Sequence, residues 1–124
     1  MAQNERIDSV SSSRRLDMVI AVVSRGDGEE VVEVLRENGI FQNLICQGHG
    51  TAPSSILEML GLGATEKDVV ISVSAHEDSR KTLEIISRKI EFEKPGRGIA
   101  FTVPLESIGG IMAFKFLTAE LPED

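Results

Sequence analysis

Tryptophan and tyrosine are absent from this chain of 124 residues, and aromatics make up only 4% of it. Any core must therefore be aliphatic, built from Val, Ile and Leu. Cysteine occurs once, as Cys46, so no internal disulfide can form, which fits a reducing compartment. Long hydrophobic runs are also missing. Met18 to Val23 falls far short of the roughly 20 residues that a membrane-spanning helix needs. Met1 to Arg15 is polar and lacks the apolar core of a secretory signal, so the expectation is a cytoplasmic protein. Positive charge is scarce: 13 Lys and Arg stand against 20 Asp and Glu, for a net charge of −7. That balance argues against nucleic acid, which calls for a basic footprint. It leaves room for a small anion held locally by backbone amides.

The length suits one domain. Residues 1–15 read as a flexible polar leader, 16–119 as the folded domain and 120–124 as an acidic tail. Leu16 to Ser24 is a strand, apolar through its middle. Asp27 stands three residues before Glu30, a capping-box spacing. Val31, Val34 and Leu35 follow at helical intervals, and Asn38-Gly39 ends that helix. Ile40 to Gln47 is the second strand. Pro53 suits the first turn of a short helix with Ile56, Met59 and Leu60 on one face. Thr65 to Asp68 reads as a polar turn into the third strand, Val69 to Ala75. There Val69, Ile71, Val73 and Ala75 alternate with Val70, Ser72 and Ser74, so one face is more apolar than the other. A second helix carries Leu83, Ile86 and Ile90, and Ile99 to Val103 is the fourth strand. Ile111 to Leu117 alternates like a fifth.

This order gives an α+β class: a ferredoxin-like βαββαβ sandwich with an inserted helix and an extra C-terminal strand. Two helices on one face leave the other face of the sheet bare. With so many apolar strand residues, a second copy is expected to cover it.

Two glycine segments flank strands, Gly48-His49-Gly50-Thr51 and Gly96-Arg97-Gly98. Glycine admits close approach and unusual backbone angles, and such loops can direct N–H groups at one anion. Each also reads as an ordinary turn. Arg97 is either an anion partner or a solvated loop residue. Cys46, His49 and His76 suggest a metal site only weakly, because a structural zinc takes four ligands and neighbouring strand residues alternate faces. No Ser-His-Asp set or paired carboxylates present themselves. Arg25 with Asn43 leaves a small acylphosphatase-like hydrolase open.

The segment Gly96-Arg97-Gly98-Ile99-Ala100-Phe101-Thr102-Val103-Pro104-Leu105-Glu106 resembles the B-loop and following strand of the PII signalling family. Gly48-His49-Gly50 is similar to the G-F-G at which that family's T-loop begins. Lys67 to Gly96 aligns with the family without a gap, and the resemblance spans roughly Leu16 to Ser107. It implies a homotrimer with ligand sites in the clefts between subunits. The implied effector is an adenine nucleotide (ATP, ADP or AMP), in the family sometimes with 2-oxoglutarate. No resident cofactor or metal is implied, and no enzyme activity. The implied ligand-binding residues are Gly48, His49, Gly50, Thr51, Val73, Gly96, Arg97 and Gly98. Partner docking, onto a membrane transporter or an enzyme, would use Ile56, Met59, Leu60 and Leu62.

The chain also departs from the family. Ile99 replaces the B-loop lysine, Arg97 replaces an aspartate, and the downstream arginine pair is absent at Gly110 and Met112. A short helix over Pro53–Leu62 replaces the long T-loop, and the family's Gln is missing after Gly50. Without tyrosine, uridylylation is excluded. A trimeric module that is purely structural or metal-linked stays as the alternative. On this reading Gly98→Val removes ligand binding and leaves the assembly intact.

Overall fold

The computed structural model describes residues 15–51, 53, 55–56 and 66–109. Six main elements follow in order: β1 (Leu16–Ser24), α1 (Gly28–Glu37), β2 (Asn43–His49), β3 (Glu66–Ala75), α2 (Ser79–Ile90) and β4 (Gly98–Pro104). A 3-10 turn, His76–Asp78, leads into α2. The sheet order is β2-β3-β1-β4, and every neighbouring pair is antiparallel. This is the expected ferredoxin-like arrangement. The expected inserted helix falls mostly outside the described residues, and the fifth strand Ile111–Leu117 falls wholly outside them. Of the former, Ser55 and Ile56 are helical, and the Ile56 N–H donates to the Pro53 carbonyl at 2.9 Å.

The helices pack on one face of the sheet. Their apolar stripes, Val31 and Leu35 on α1 and Ile86 and Ile90 on α2, meet Val19, Ala21, Val23 and Val70. Burying side chains of this size stabilises by about 1.5–3 kcal/mol each. α1 stops at Asn38, and Gly39 takes a φ of 86°. The Ile40 N–H then closes the turn on the Leu35 carbonyl at 2.9 Å, the pattern of a glycine-terminated helix. α2 ends with Glu91 in the left-handed region at φ 61°.

Three sequence expectations change. First, β2 runs from Asn43 to His49, so Gly48 and His49 lie within the strand. They pair with Lys67 and Glu66. β3 correspondingly starts at Glu66, because ladder pairing with β2 overrides the turn-like polarity of Glu66-Lys67-Asp68. Second, Asp27 makes no side-chain cap. Asp68, arriving from β3, does that work: its Oδ2 accepts the N–H groups of Gly26 at 2.8 Å and Gly28 at 3.1 Å. Third, the more polar face of β3 is the one beneath the helices, where Asp68, Val70, Ser72 and Ser74 are buried.

The opposite face, helix-free among the described residues, is also apolar over most of its length. Side chains directly opposite each other share a face, and three rows cross it. Leu44, Ile71, Ile20 and Phe101 form one row across all four strands, Cys46, Val69, Val22 and Ile99 a second, and Val73, Met18 and Val103 a third. Leu44 is 58% exposed and Phe101 41%. At the other end of the sheet, the Leu105 N–H bonds the Leu16 carbonyl and the His76 N–H bonds the Arg15 carbonyl. The described chain therefore enters and leaves side by side.

Candidate functional site

A fourth row closes the helix-free face, and it is polar. Gly48 on β2, Lys67 on β3 and Ser24 on β1 lie side by side, with the Gly96–Gly98 turn beyond. Ser24 Oγ–H donates to the Gly96 carbonyl across a long 3.4 Å. The two glycine segments therefore flank this row at opposite edges of the sheet. Three strand spacings, roughly 14 Å, separate them within one copy. A single phosphate cannot bridge that span.

Lys67 stands in the middle of the row and is the residue that sequence reasoning missed. It is only 4% exposed, and its Nζ has no hydrogen-bond partner among the described residues. Burial lowers its pKa from the ordinary value of 10.5, because a low dielectric disfavours the ammonium. Buried polar groups are usually paired, so an orphaned amine is a departure from the norm that points to a missing partner. In the sequence, Lys67 sits in a charged run, Glu66-Lys67-Asp68, which reads as a solvated turn. The register was the signal, and it exists only once β2 is paired.

The two edges differ. Gly48 has no special backbone angle, and a Cβ there would meet Val69 Cγ2 at an ordinary 3.5 Å. Next to it, His49 Nδ1 lies 3.2 Å from Glu66 Oε2, while Glu66 Oε1 pairs with Arg25 at 2.7 Å. Gly50 and Thr51 follow at the end of β2. On the far edge Gly98 has φ 138°, and a Cβ would lie 2.4 Å from the Val22 carbonyl oxygen. Its glycine is demanded by the β1–β4 ladder. Gly98→Val therefore breaks the strand pairing and cannot report on a ligand, contrary to the sequence expectation. Gly96, at φ 78°, makes a turn with open space where a side chain would be.

Arg97 points among carboxylates, 3.9 Å from Asp27 and 3.8 Å from Glu91. Both contacts are long, and the side chain stays one-third exposed. Glu91 is held below the usual carboxylate range by the hydrogen bond and charge of Lys94, with Arg97 adding to the effect. An anion at Arg97 would compete with those acids.

Val73 is not brought to this corner. It pairs with Met18 near the other end of β3, six residues or roughly 20 Å from Lys67. His49 and His76 are likewise at opposite ends of β3, and Cys46 lies on the opposite face of β2 from His49. His76 instead bonds the buried Asp17, Nδ1 to Oδ2, at 2.9 Å. Ile56 is exposed, whereas Met59, Leu60 and Leu62 lie outside the described residues. No described helix is long and apolar enough to cross a membrane.

No protein-family model matches the chain, and no curated protein matches it in sequence. Among solved structures it is similar to the PII protein of Arabidopsis thaliana bound to citrate. The TM-score is 0.61 at 15% identity, over 78% of this chain and 81% of that one. At that identity the likeness establishes a PII-like fold.

Proposed function

We propose that this chain is a PII-like regulatory subunit that senses a small anion at the Gly48–Lys67–Ser24 corner. The observation that carries this reading is the enclosed amine of Lys67, unpartnered among the described residues, between the two glycine-bearing edges. A carboxylate or phosphate entering beside it supplies the missing acceptor. Charge-assisted hydrogen bonds of this kind contribute about 1.5–3 kcal/mol each. The similar plant protein was bound to citrate, a polycarboxylate, which is the same ligand chemistry.

The subunit assembles as a homotrimer through its helix-free face. Assembly also resolves the 14 Å span, since a second copy can bring its own edge against the corner. An adenine nucleotide is long enough to reach from one glycine segment toward the other. Ile99 offers no charge for its outer phosphates, so AMP, ADP or a polycarboxylate competes well with ATP. Occupancy biases the segment that follows Gly50 and changes affinity for a partner, a membrane transporter or an enzyme. The subunit itself is not a catalyst.

The test is thermal shift of the full chain against AMP, ADP, ATP and citrate. A ligand at one hundred times its Kd stabilises the native state by about 2.7 kcal/mol. At least one of the four is expected to raise the melting temperature of the wild type and not of Lys67→Met. No shift with any of them, or an equal shift in both proteins, overturns the assignment of the corner.

A further inference from the structure

An amine that is enclosed and unpaired is a nucleophile as well as a cation in waiting. We propose that Lys67 combines reversibly with carbon dioxide to form a carbamate. The proposal shares a residue with the anion-sensing reading and stands on separate chemistry.

The geometry supports it in three ways. Nζ has no acceptor among the described residues, so no carboxylate holds the ammonium form in place. Its neighbours in chain, Glu66 and Asp68, point to the opposite face of the strand. They are also already engaged, Glu66 by Arg25 and His49 and Asp68 by the Gly26 and Gly28 amides. Finally, an amine with almost no solvent-accessible surface favours the smallest carbonyl electrophile over any bulkier aldehyde or ketone. Desolvation adds to this by lowering the amine's proton affinity, which is how buried lysines become nucleophilic.

The step balances without a further reagent. The Nζ lone pair attacks the carbon of CO2, one C=O π pair moves onto oxygen, and the nitrogen loses one proton to solvent. The sum is R–NH2 + CO2 → R–NH–COO⁻ + H⁺. The new anion needs a donor, since an unpaired buried charge is costly. Ser24 lies directly across the ladder, and its hydroxyl gives up only a 3.4 Å bond to Gly96 to serve. Gly48, on the other side, carries no side chain of its own to crowd the amine. Carbamylation reverses the charge at the corner, so carbon dioxide and an anionic ligand exclude one another.

The experiment exposes the full chain to ¹³C-labelled bicarbonate at mildly alkaline pH, traps carbamates with a trialkyloxonium salt and maps peptides by mass spectrometry. Lys81, Lys89 and Lys94 are exposed and serve as internal controls. Trapped label on the Lys67 peptide is expected to exceed that on each control, and to be lost in Lys67→Arg and Lys67→Met. Should those variants fail to fold, the wild type in urea serves instead, with Lys67 falling to the level of the controls. Label on Lys67 no greater than on the exposed lysines in the folded protein overturns the proposal. The readout is covalent label on Nζ, with no nucleotide or citrate present, so a negative result here leaves the thermal-shift result standing, and the reverse holds too.

Discussion

At the scale of single residues, two side chains of the adjoining pair Lys67-Asp68 have opposite fates. Asp68 is buried with its Oδ2 accepting from two amides, and Lys67 is buried with no partner for its Nζ among the described residues. Asp68→Asn exchanges a charged acceptor for a neutral one at two backbone amides, and is expected to cost about 1.5–3 kcal/mol in urea denaturation. Gly28→Ala strikes the same spot, since its Cβ would sit 2.9 Å from both Cβ and Oδ2 of Asp68. Its loss should be comparable, with an unchanged m-value. Lys67→Met has the opposite sign: it removes an unsatisfied buried donor and is expected to stabilise by about 1–3 kcal/mol. The gain depends on pH. Lys67 has a lowered folded pKa, so between that value and 10.5 the unfolded chain binds the extra proton. Wild-type stability therefore rises with pH through this window. The advantage of Lys67→Met is greatest below the folded pKa and shrinks toward 10.5. Parallel stability curves for the two proteins across the alkaline range would contradict this.

At the scale of elements, α1 and α2 were legible and the strand ends were not. Val31, Val34 and Leu35 announce α1 by spacing, and Asn38-Gly39 marks its end where the structure does. Strand limits depend on what lies alongside. Glu66-Lys67-Asp68 looks like a turn alone and becomes strand because Gln47, Gly48 and His49 pair with it. The candidate corner was half legible for the same reason: its glycines were visible, but its lysine was hidden in a charged run. At the end of α2, Glu91 occupies a left-handed position that costs a non-glycine residue about 1–2 kcal/mol. Its ion pair with Lys94 is exposed, and such pairs contribute little. Glu91→Gly is thus expected to raise the melting temperature modestly. A fall would show that Glu91's contacts with Lys94 and Arg97 outweigh the backbone strain.

At the scale of the whole molecule, both faces of the sheet carry apolar residues, and one strand runs against the simple rule. In β3 the more polar face, with Asp68, Ser72 and Ser74, lies under the helices, while Val69, Ile71 and Val73 face away from them. The composition of β3 showed that its faces differ, but nothing in the strand says which one the helices cover. The open rows are the physical ground for expecting an assembly, because contiguous apolar patches of this kind are rare on monomers. Phe101→Glu puts a charge in the middle row without touching the core. It is expected to yield smaller particles in sedimentation equilibrium while far-ultraviolet circular dichroism is unchanged. A wild type that sediments as a monomer at micromolar concentration removes the basis for this expectation.

The points where the described sheet is entered at Leu16 and left at Leu105, joined by the Leu105–Leu16 hydrogen bond, lie a full strand length from Lys67. Leu16 and Ser24 are the two ends of β1, roughly 25 Å apart at the usual rise per residue. A tether at either Arg15 or Leu105 thus anchors the domain by the pole opposite its candidate corner. Immobilised on a sensor surface by one such tether, the molecule presents that corner outward, and coupling through the other tether should give the same ligand response.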